Sequence, residues 1–410
     1  MKKKMLAAIL LFLFIGIALN PVTIGINLST KQIITSEEIK ETLSDLFFDI
    51  YIKTLMKVAH KPSIAACIIH DDIIVWSKGY GYYDIENKKP TNEDILYLQA
   101  SVSKTVTATA LMQLYEQGLF ELDDDINEYL PFELRNPNHP DDPITIKMVL
   151  SHRSSLADDN LYWIALSYLP GDPDVPDFPY PWLKEYLTPG GIGYSSTTWS
   201  NAKPGERYYY ANIGYSIIAY LVEILSNKNF TEYCKENIFE PLHMYNSGFR
   251  LRDHNVSNIA VPYEFKNNKY FRHPHYGIHI LYPAITLRTS IEEYSHFIIA
   301  HMNDGVWKDI RILNGTTVEL MHTAHFSPED KYNYGLGWTI LNPAIGKNEY
   351  GHSGGYVGVL DLVTIIPDDD IAVMIFSNEL DSELKSTRIE WKAFDAINNI
   401  LFWKANSLAK

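Results

Sequence analysis

Apolar residues recur along this 410-residue chain with two periods, and the places where the period changes mark its elements. Thr35-Ser36-Glu37-Glu38 is a capping box, after which Ile39, Leu43, Leu46, Phe47 and Ile50 fall on one face of a helix. Ala65 to His70 and Ile73 to Ser77 are apolar runs of strand length split by Asp71-Asp72. They predict a hairpin that continues through Gly79-Tyr80-Gly81-Tyr82-Tyr83. Lys104 to Gln117 predicts a central buried helix, carrying Ala108, Ala110, Leu111, Leu114 and Tyr115 and closed by Gly118. Near the C-terminus, Leu360 to Ile366 and Ile371 to Ser377 are joined by Pro367-Asp368-Asp369-Asp370 and predict a second antiparallel hairpin. After it comes an amphipathic helix, from roughly Leu384 to Leu401. Strands at both ends with helices between them predict one mixed sheet completed by both termini.

Two stretches break these patterns. Residues 168–205 are rich in Pro, Gly, Tyr and Trp, and Pro170 to Trp182 reads as no regular element. A loop of that length is either a substrate rim or lid, or a surface loop with anchored aromatics. At the N-terminus, Lys2 to Lys4 precede the uninterrupted apolar run Met5 to Leu19, which has the length of a signal peptide core. No small-x-small cleavage site comes after it, and Met5 to Ile26 approaches spanning length. Residues 1–26 are therefore a signal peptide or an uncleaved membrane anchor, and 27–35 a tether. Either way the remaining domain, 36–410, is expected outside the cytoplasm, secreted or anchored by this segment alone.

Composition narrows the function. A formal charge of −15 speaks against nucleic-acid binding, which needs basic patches. Cys67 and Cys234 are too few for a disulfide scaffold, and Cys67 reads as a buried strand residue. No Cys-His spacing suits zinc, and no Gly-x-Gly-x-x-Gly suits a nucleotide. Asp123-Asp124-Asp125 lacks the spaced ligands of a calcium loop and reads as a solvated turn. His273, His275 and His279 cluster in sequence and read as rim or packing residues rather than a metal site. No metal or organic cofactor is expected.

Candidate chemistry lies in three short motifs in order: Ser101-Val102-Ser103-Lys104, Tyr210-Ala211-Asn212 and His352-Ser353-Gly354. Ser-x-x-Lys alone arises often by chance; the ordered set is specific. Ser101 opens the central helix, where free N–H groups and the helix dipole favour negative charge. Lys104, three residues on, shares its face and can surrender a proton if burial disfavours its charge. Tyr210, at a turn entering a helix, can relay a proton between Lys104 and a leaving group. Asn212 can hold Lys104 or a substrate amide. His352-Ser353-Gly354-Gly355 precedes an apolar strand, and the N–H of Gly355 can complete an oxyanion hole with that of Ser101. This is equipment for acyl transfer through a serine ester, acting on a small molecule or a peptide.

On these motifs the chain resembles the serine beta-lactamase and penicillin-binding superfamily, specifically its class C branch, which also holds D-aminopeptidases, DD-carboxypeptidases and esterases. The resemblance covers most of residues 40–400. It extends to Leu122-Asp123-Asp124 through Tyr129-Leu130-Pro131, to Ile146 through Leu156 with its Leu150-Ser151-His152-Arg153-Ser154-Ser155-Leu156, and to Pro204-Gly205-Glu206. It implies an α/β (α+β) fold, an antiparallel sheet lobe flanked by helices plus an all-helical lobe, with the cleft between them. It further implies Ser101 as nucleophile, Lys104 and Tyr210 as the acid/base pair and Asn212 as a supporting group. The expected function is an exported serine hydrolase acting on an ester or amide. Beta-lactamase or DD-carboxypeptidase activity, and a non-catalytic penicillin-binding sensor, are the alternatives.

Three departures bear on substrate. The branch's beta-lactamases carry Lys-Thr-Gly where this chain has His352-Ser353-Gly354, and a histidine near its reference pKa of about 6.5 is mostly neutral at pH 7. A substrate carboxylate is then gripped less. Ser155 stands where the family commonly has Gly, and Pro283-Ala284-Ile285-Thr286-Leu287 replaces a usual Pro-Ala-Gly-Gly-Leu, so that backbone must avoid positive φ.

Overall fold

Asp71 and Asp72 both adopt left-handed φ (49° and 59°), the conformation a two-residue type I′ hairpin requires. They join β1 (Ser63–His70) to β2 (Ile73–Asp84), the expected hairpin. In this computed structural model, which describes residues 36–158, 168–171, 182–326, 333–341, 349–380 and 388–408, that hairpin lies in an eight-stranded sheet. The other strands are β3 (Lys89–Pro90), β4 (Asn333–Tyr334), β5 (Thr339–Leu341), β6 (Glu349–Tyr356), β7 (Val359–Ile366) and β8 (Ile371–Ser377). Their order is β4-β5-β6-β7-β8-β1-β2-β3. Strands from both ends of the chain do complete one sheet, but it is antiparallel at every described pairing rather than mixed. Short turns account for the antiparallel sense of neighbours that follow one another in sequence; β8 and β1, linked only through the rest of the chain, are antiparallel as well.

The chain divides after Ile50 into two compact units. The described part of the first is the opening of helix α1 (Ser36–Val58). The second, Tyr51–Lys410, contains the whole sheet and the helices that cover it. Residues 1–35, with the leader and tether expectations, lie outside the described residues. Among the described residues no helix is long and apolar enough to cross a membrane.

β1 is buried on both faces, which explains its unbroken apolar run. Ala65, Cys67 and Ile69 stand opposite Phe376, Met374 and Ala372 of β8 and merge with the main core. Three helices named in chain order share that core: α2 (Ser103–Glu116), α3 (Asn212–Ser226) and α4 (Ile291–Met302). α4 covers this face, with Tyr294 against Phe376 at 5.9 Å between ring centroids. Ala66 and Ile68 stand opposite Ile375 and Val373 on the other face. There the C-terminal helix α5 (Arg388–Leu408) packs with Phe394, Ile397 and Leu401 buried, each contributing about 1.5–3 kcal/mol. α5 outlasts its expected end because Leu401 and Ala405 continue the buried stripe.

α2 is buried from Ser103 to Leu114 and packs against α3 and the turn Tyr282–Ile285. Its polar residues are matched inside: Thr105 Oγ1 meets Tyr294 Oη at 2.8 Å, and Thr107 Oγ1 donates to the Pro283 carbonyl at 2.6 Å. The stretch 168–205 is not one long loop. Tyr168–Pro170 pairs with Tyr276–Ile278, and Trp182–Leu187 is a helix burying Leu183, Tyr186 and Leu187. That helical spacing was hidden by the surrounding prolines and glycines; residues 172–181 lie outside the described set. The aspartates at 123–125 are engaged rather than simply solvated: Lys147 meets Asp123, Tyr129 donates to Asp124, and Arg135 pairs with Asp125. Cys67 and Cys234 are free and buried, and burial pushes both thiols up.

Asp361 of β7 is fully enclosed opposite Gly354 and Phe376. Its Oδ1 accepts from the Ser377 N–H at 3.1 Å, and its Oδ2 has no hydrogen-bond partner among the described residues. Burial raises this carboxyl far above the carboxylate range; the Ser377 N–H and Lys61 draw it back only in part. A group raised in the fold contributes stability below its unfolded value of about 3.9, and loses it as pH climbs, by up to about 1.4 kcal/mol per unit. Asp361→Asn is therefore expected to melt above wild type at pH 8 and to draw level near pH 4. A variant that melts below wild type at pH 8 contradicts this.

Candidate active site

A 3₁₀ turn, Ala100–Val102, delivers Ser101 to the mouth of α2. Ala100 is buried at φ +43°, a region that costs a non-glycine residue roughly 1–3 kcal/mol. The turn is pressed there by β6: a side chain at Gly354 would run into the Gln99 carbonyl and crowd both Ala100 and the Ser101 amide. The glycines of β6 thus serve close approach. His352-Ser353-Gly354-Gly355 itself lies within β6 and, as expected, runs ahead of an apolar strand, β7. β5 pairs with β6 only as far as Gly351, so His352 to Tyr356 lie alongside the nucleophile turn instead. Ser353 and Gly355 are exposed there, His352 and Gly354 buried.

Lys104 is fully buried, and its Nζ donates to Ser101 Oγ at 3.0 Å, Asn212 Oδ1 at 2.7 Å and the Ala284 carbonyl at 3.0 Å. Burial pushes this lysine down to about 7, with Asp158 pulling the other way. It therefore exchanges a proton at neutral pH, one bond from the serine. Tyr210 comes just before Ala211, the extended N-cap of α3, and Lys104 Nζ lies over its ring, 4.9 Å from the centroid. The residue is 36% exposed, while its hydroxyl is enclosed on the Ser101 side. Enclosure lifts the phenol far above 10, so it stays an O–H donor.

Two histidines bound the pocket in fixed, neutral forms. His352 Nδ1–H donates to the Ser353 carbonyl at 2.7 Å, and Nε2 accepts from Tyr334 Oη at 2.8 Å. Burial, then the nearby Lys104, pushes it down to about 3. His152, at φ +58°, accepts the Ala211 N–H on Nδ1 at 3.2 Å and packs 4.3 Å from the Tyr210 ring. Burial and Lys104 hold it well below 6.5.

The structure thus brings Ser101, Lys104, Tyr210 and Asn212 into contact, with His352 to Gly355 alongside. Sequence reasoning missed four contributors. Asp158 accepts from Asn212 N and Nδ2, both at 2.6 Å, and from Ile213 N at 3.3 Å. The Ala284 carbonyl holds Lys104, Tyr334 fixes His352, and His152 lies under Tyr210. Backbone carbonyls and partners far along the chain leave no local signal; His152 stood in a motif, though without a role. Ser155 takes φ +65° without glycine, its Oγ accepting from Asn136 at 3.0 Å. Tyr282–Ile285 is a helical turn ending on Thr286 at φ −102°, so the segment needs no positive φ, as expected. Among the histidines of 273–279, His273 pairs with Glu264 at 2.9 Å and His279 packs on Trp182.

A buried helix that opens on Ser-x-x-Lys beside an antiparallel strand is the arrangement of the penicillin-binding, serine-hydrolase fold. The chain belongs to the beta-lactamase family, whose model matches residues 48–396. It is similar to Protein flp of Staphylococcus aureus (strain MRSA252), 22% identical over 86% of this chain and 66% of that protein. The chain therefore spans just under two thirds of that relative's length. It is 24% identical to Penicillin-binding protein 4* of Bacillus subtilis (strain 168), over 80% of this chain and 70% of that one. Among solved structures, the octameric penicillin-binding protein homologue from Pyrococcus abyssi matches with TM-score 0.70 and 25% identity, over 87% of this chain and 77% of that one.

Proposed function

We propose that this protein is a serine hydrolase that cleaves esters or amides through an acyl-Ser101 intermediate. One observation carries the reading: Lys104, wholly buried and held near 7, lies 3.0 Å from Ser101 Oγ. Ser101 Oγ bonds to the substrate carbonyl carbon as its proton passes to Lys104 Nζ. The oxyanion that forms lies at the mouth of α2, where the N–H groups of Ser101 and Gly355 receive it. Tyr210, still protonated, gives its proton to the leaving group and is refilled from Lys104. The C–O or C–N bond breaks, and water, deprotonated by the same pair, releases the acid.

His352 narrows the substrate. Pinned neutral between Tyr334 and its neighbour's carbonyl, it offers no cation to a carboxylate. This favours esters or amides without a carboxylate at that subsite over penicillins and cephalosporins. The names of the relatives support a second reading, a penicillin-acylated protein with little turnover. The basic Lys2 to Lys4 and the apolar run after them support placing the domain outside the cytoplasm.

A p-nitrophenyl short-chain ester and a chromogenic cephalosporin, assayed side by side, test the substrate class. Ester turnover is expected to dominate, and His352→Lys is expected to gain about tenfold or more on the cephalosporin, the value of one recovered charge-assisted contact. A wild type faster on the cephalosporin, or a lysine variant with no gain, contradicts the carboxylate argument.

A further inference from the structure

We propose that Asp158 is a positioning residue of this site: through Asn212 it fixes Lys104 against the nucleophile and supplies the charge against which that lysine gives up its proton. The proposal rests on the reading of Ser101 as nucleophile and Lys104 as its base.

Asp158 is held by its own backbone neighbours. The Ala157 N–H donates to the Thr198 carbonyl at 2.8 Å, and Leu156 bridges Trp199. The carboxylate then caps α3 by accepting the N–H groups of Asn212 and Ile213. Among the described residues, every group hydrogen-bonded to it is a donor: Asn212 N and Nδ2 on Oδ2, and Ile213 N on Oδ1. Three N–H donors and the positive end of α3 favour the anion. Burial alone pushes the other way and raises it above the usual aspartate value.

The consequence falls on Asn212. Its Nδ2 is tied to the anion, so its amide cannot turn over, and Oδ1 is left for Lys104 at 2.7 Å. A carboxylate touching the lysine directly would hold it as ammonium; one amide further off, it biases without trapping. Around Lys104 stand Ser101 from its own helix, His152, Asp158, Tyr210, Asn212 and Tyr215 of α3, the Ala284 carbonyl and His352 of β6. The histidines are neutral and the tyrosines protonated. Among these described neighbours, Asp158 carries the one formal charge at neutral pH, so none of the others masks its removal.

The test is the pH dependence of phosphonylation by a fluorophosphonate, read by intact mass. The Ser101 Oγ–P bond forms, P–F breaks, fluoride leaves and the serine proton goes to Lys104. Wild type is expected to lose rate below an acid limb near 7. Asp158→Asn and Asp158→Ser both remove the charge, and serine retains a cap acceptor, so the limb is measurable in whichever folds. Without the anion Lys104 sheds its proton more readily. The limb is expected to move to lower pH by about half a unit or more, and the plateau to fall about tenfold as the lysine loses its fixed position. A purely structural cap would leave the limb in place, and an unmoved limb overturns the proposal. A wild type that does not label at Ser101 sinks the underlying reading, and this one with it.

Discussion

Ser101→Ala is expected to lower kcat/KM on an activated ester by at least about 10³-fold, the range seen when a catalytic nucleophile is removed. The fold should survive. Ser101 is half-buried, its Cβ remains, and the strained turn around Ala100 is set by β6 and α2 rather than by the hydroxyl. Lys104 loses one of three acceptors and keeps Asn212 and Ala284. The measurement is steady-state kinetics beside a thermal melt. A variant with its melt intact and more than a tenth of wild-type activity would remove Ser101 from the mechanism.

Lys104→Met is the second large effect. Methionine matches the lysine stem in the buried helix and removes only the amine, so packing is largely kept. Loss of a positioned general base costs about 10²–10⁴-fold. The form of the pH profile matters as much as the depth. Wild type should gain activity as pH rises through about 7, where the buried amine becomes free to take the serine proton. The methionine variant should keep no such limb. Tyr210 cannot substitute as base, because its enclosed phenol is held far above 10. An unchanged limb in Lys104→Met would assign the titration to another group.

The part of the site that sequence reveals is the part built by short spacing. Ser101 and Lys104 are three apart on one helical turn, and Tyr210 and Asn212 flank the start of another, so their pairing follows from helix geometry. The hairpins were legible because Asp71-Asp72 and Pro367 to Asp370 interrupt long apolar runs. What was not legible depends on the tertiary fold. Asp158 reaches Asn212 across 54 positions, Ala284 contributes only a carbonyl, and Tyr334 meets His352 across the β4 and β5 turns. The glycines of β6 read only as small residues ahead of an apolar strand, because the sequence does not show the Gln99 carbonyl and Ser101 amide lying against Gly354. The same limit hid the Trp182–Leu187 helix, whose three buried residues stand among punctuating prolines and glycines.

The most direct test of the account is a rapid-quench mass measurement of wild type mixed with a slowly deacylating p-nitrophenyl ester, followed by peptide mapping. The account predicts a transient mass gain equal to the acyl group, located on the peptide carrying Ser101 and decaying as free acid appears. Turnover without any acyl adduct, or an adduct on another residue that forms as fast in Ser101→Ala, would contradict it.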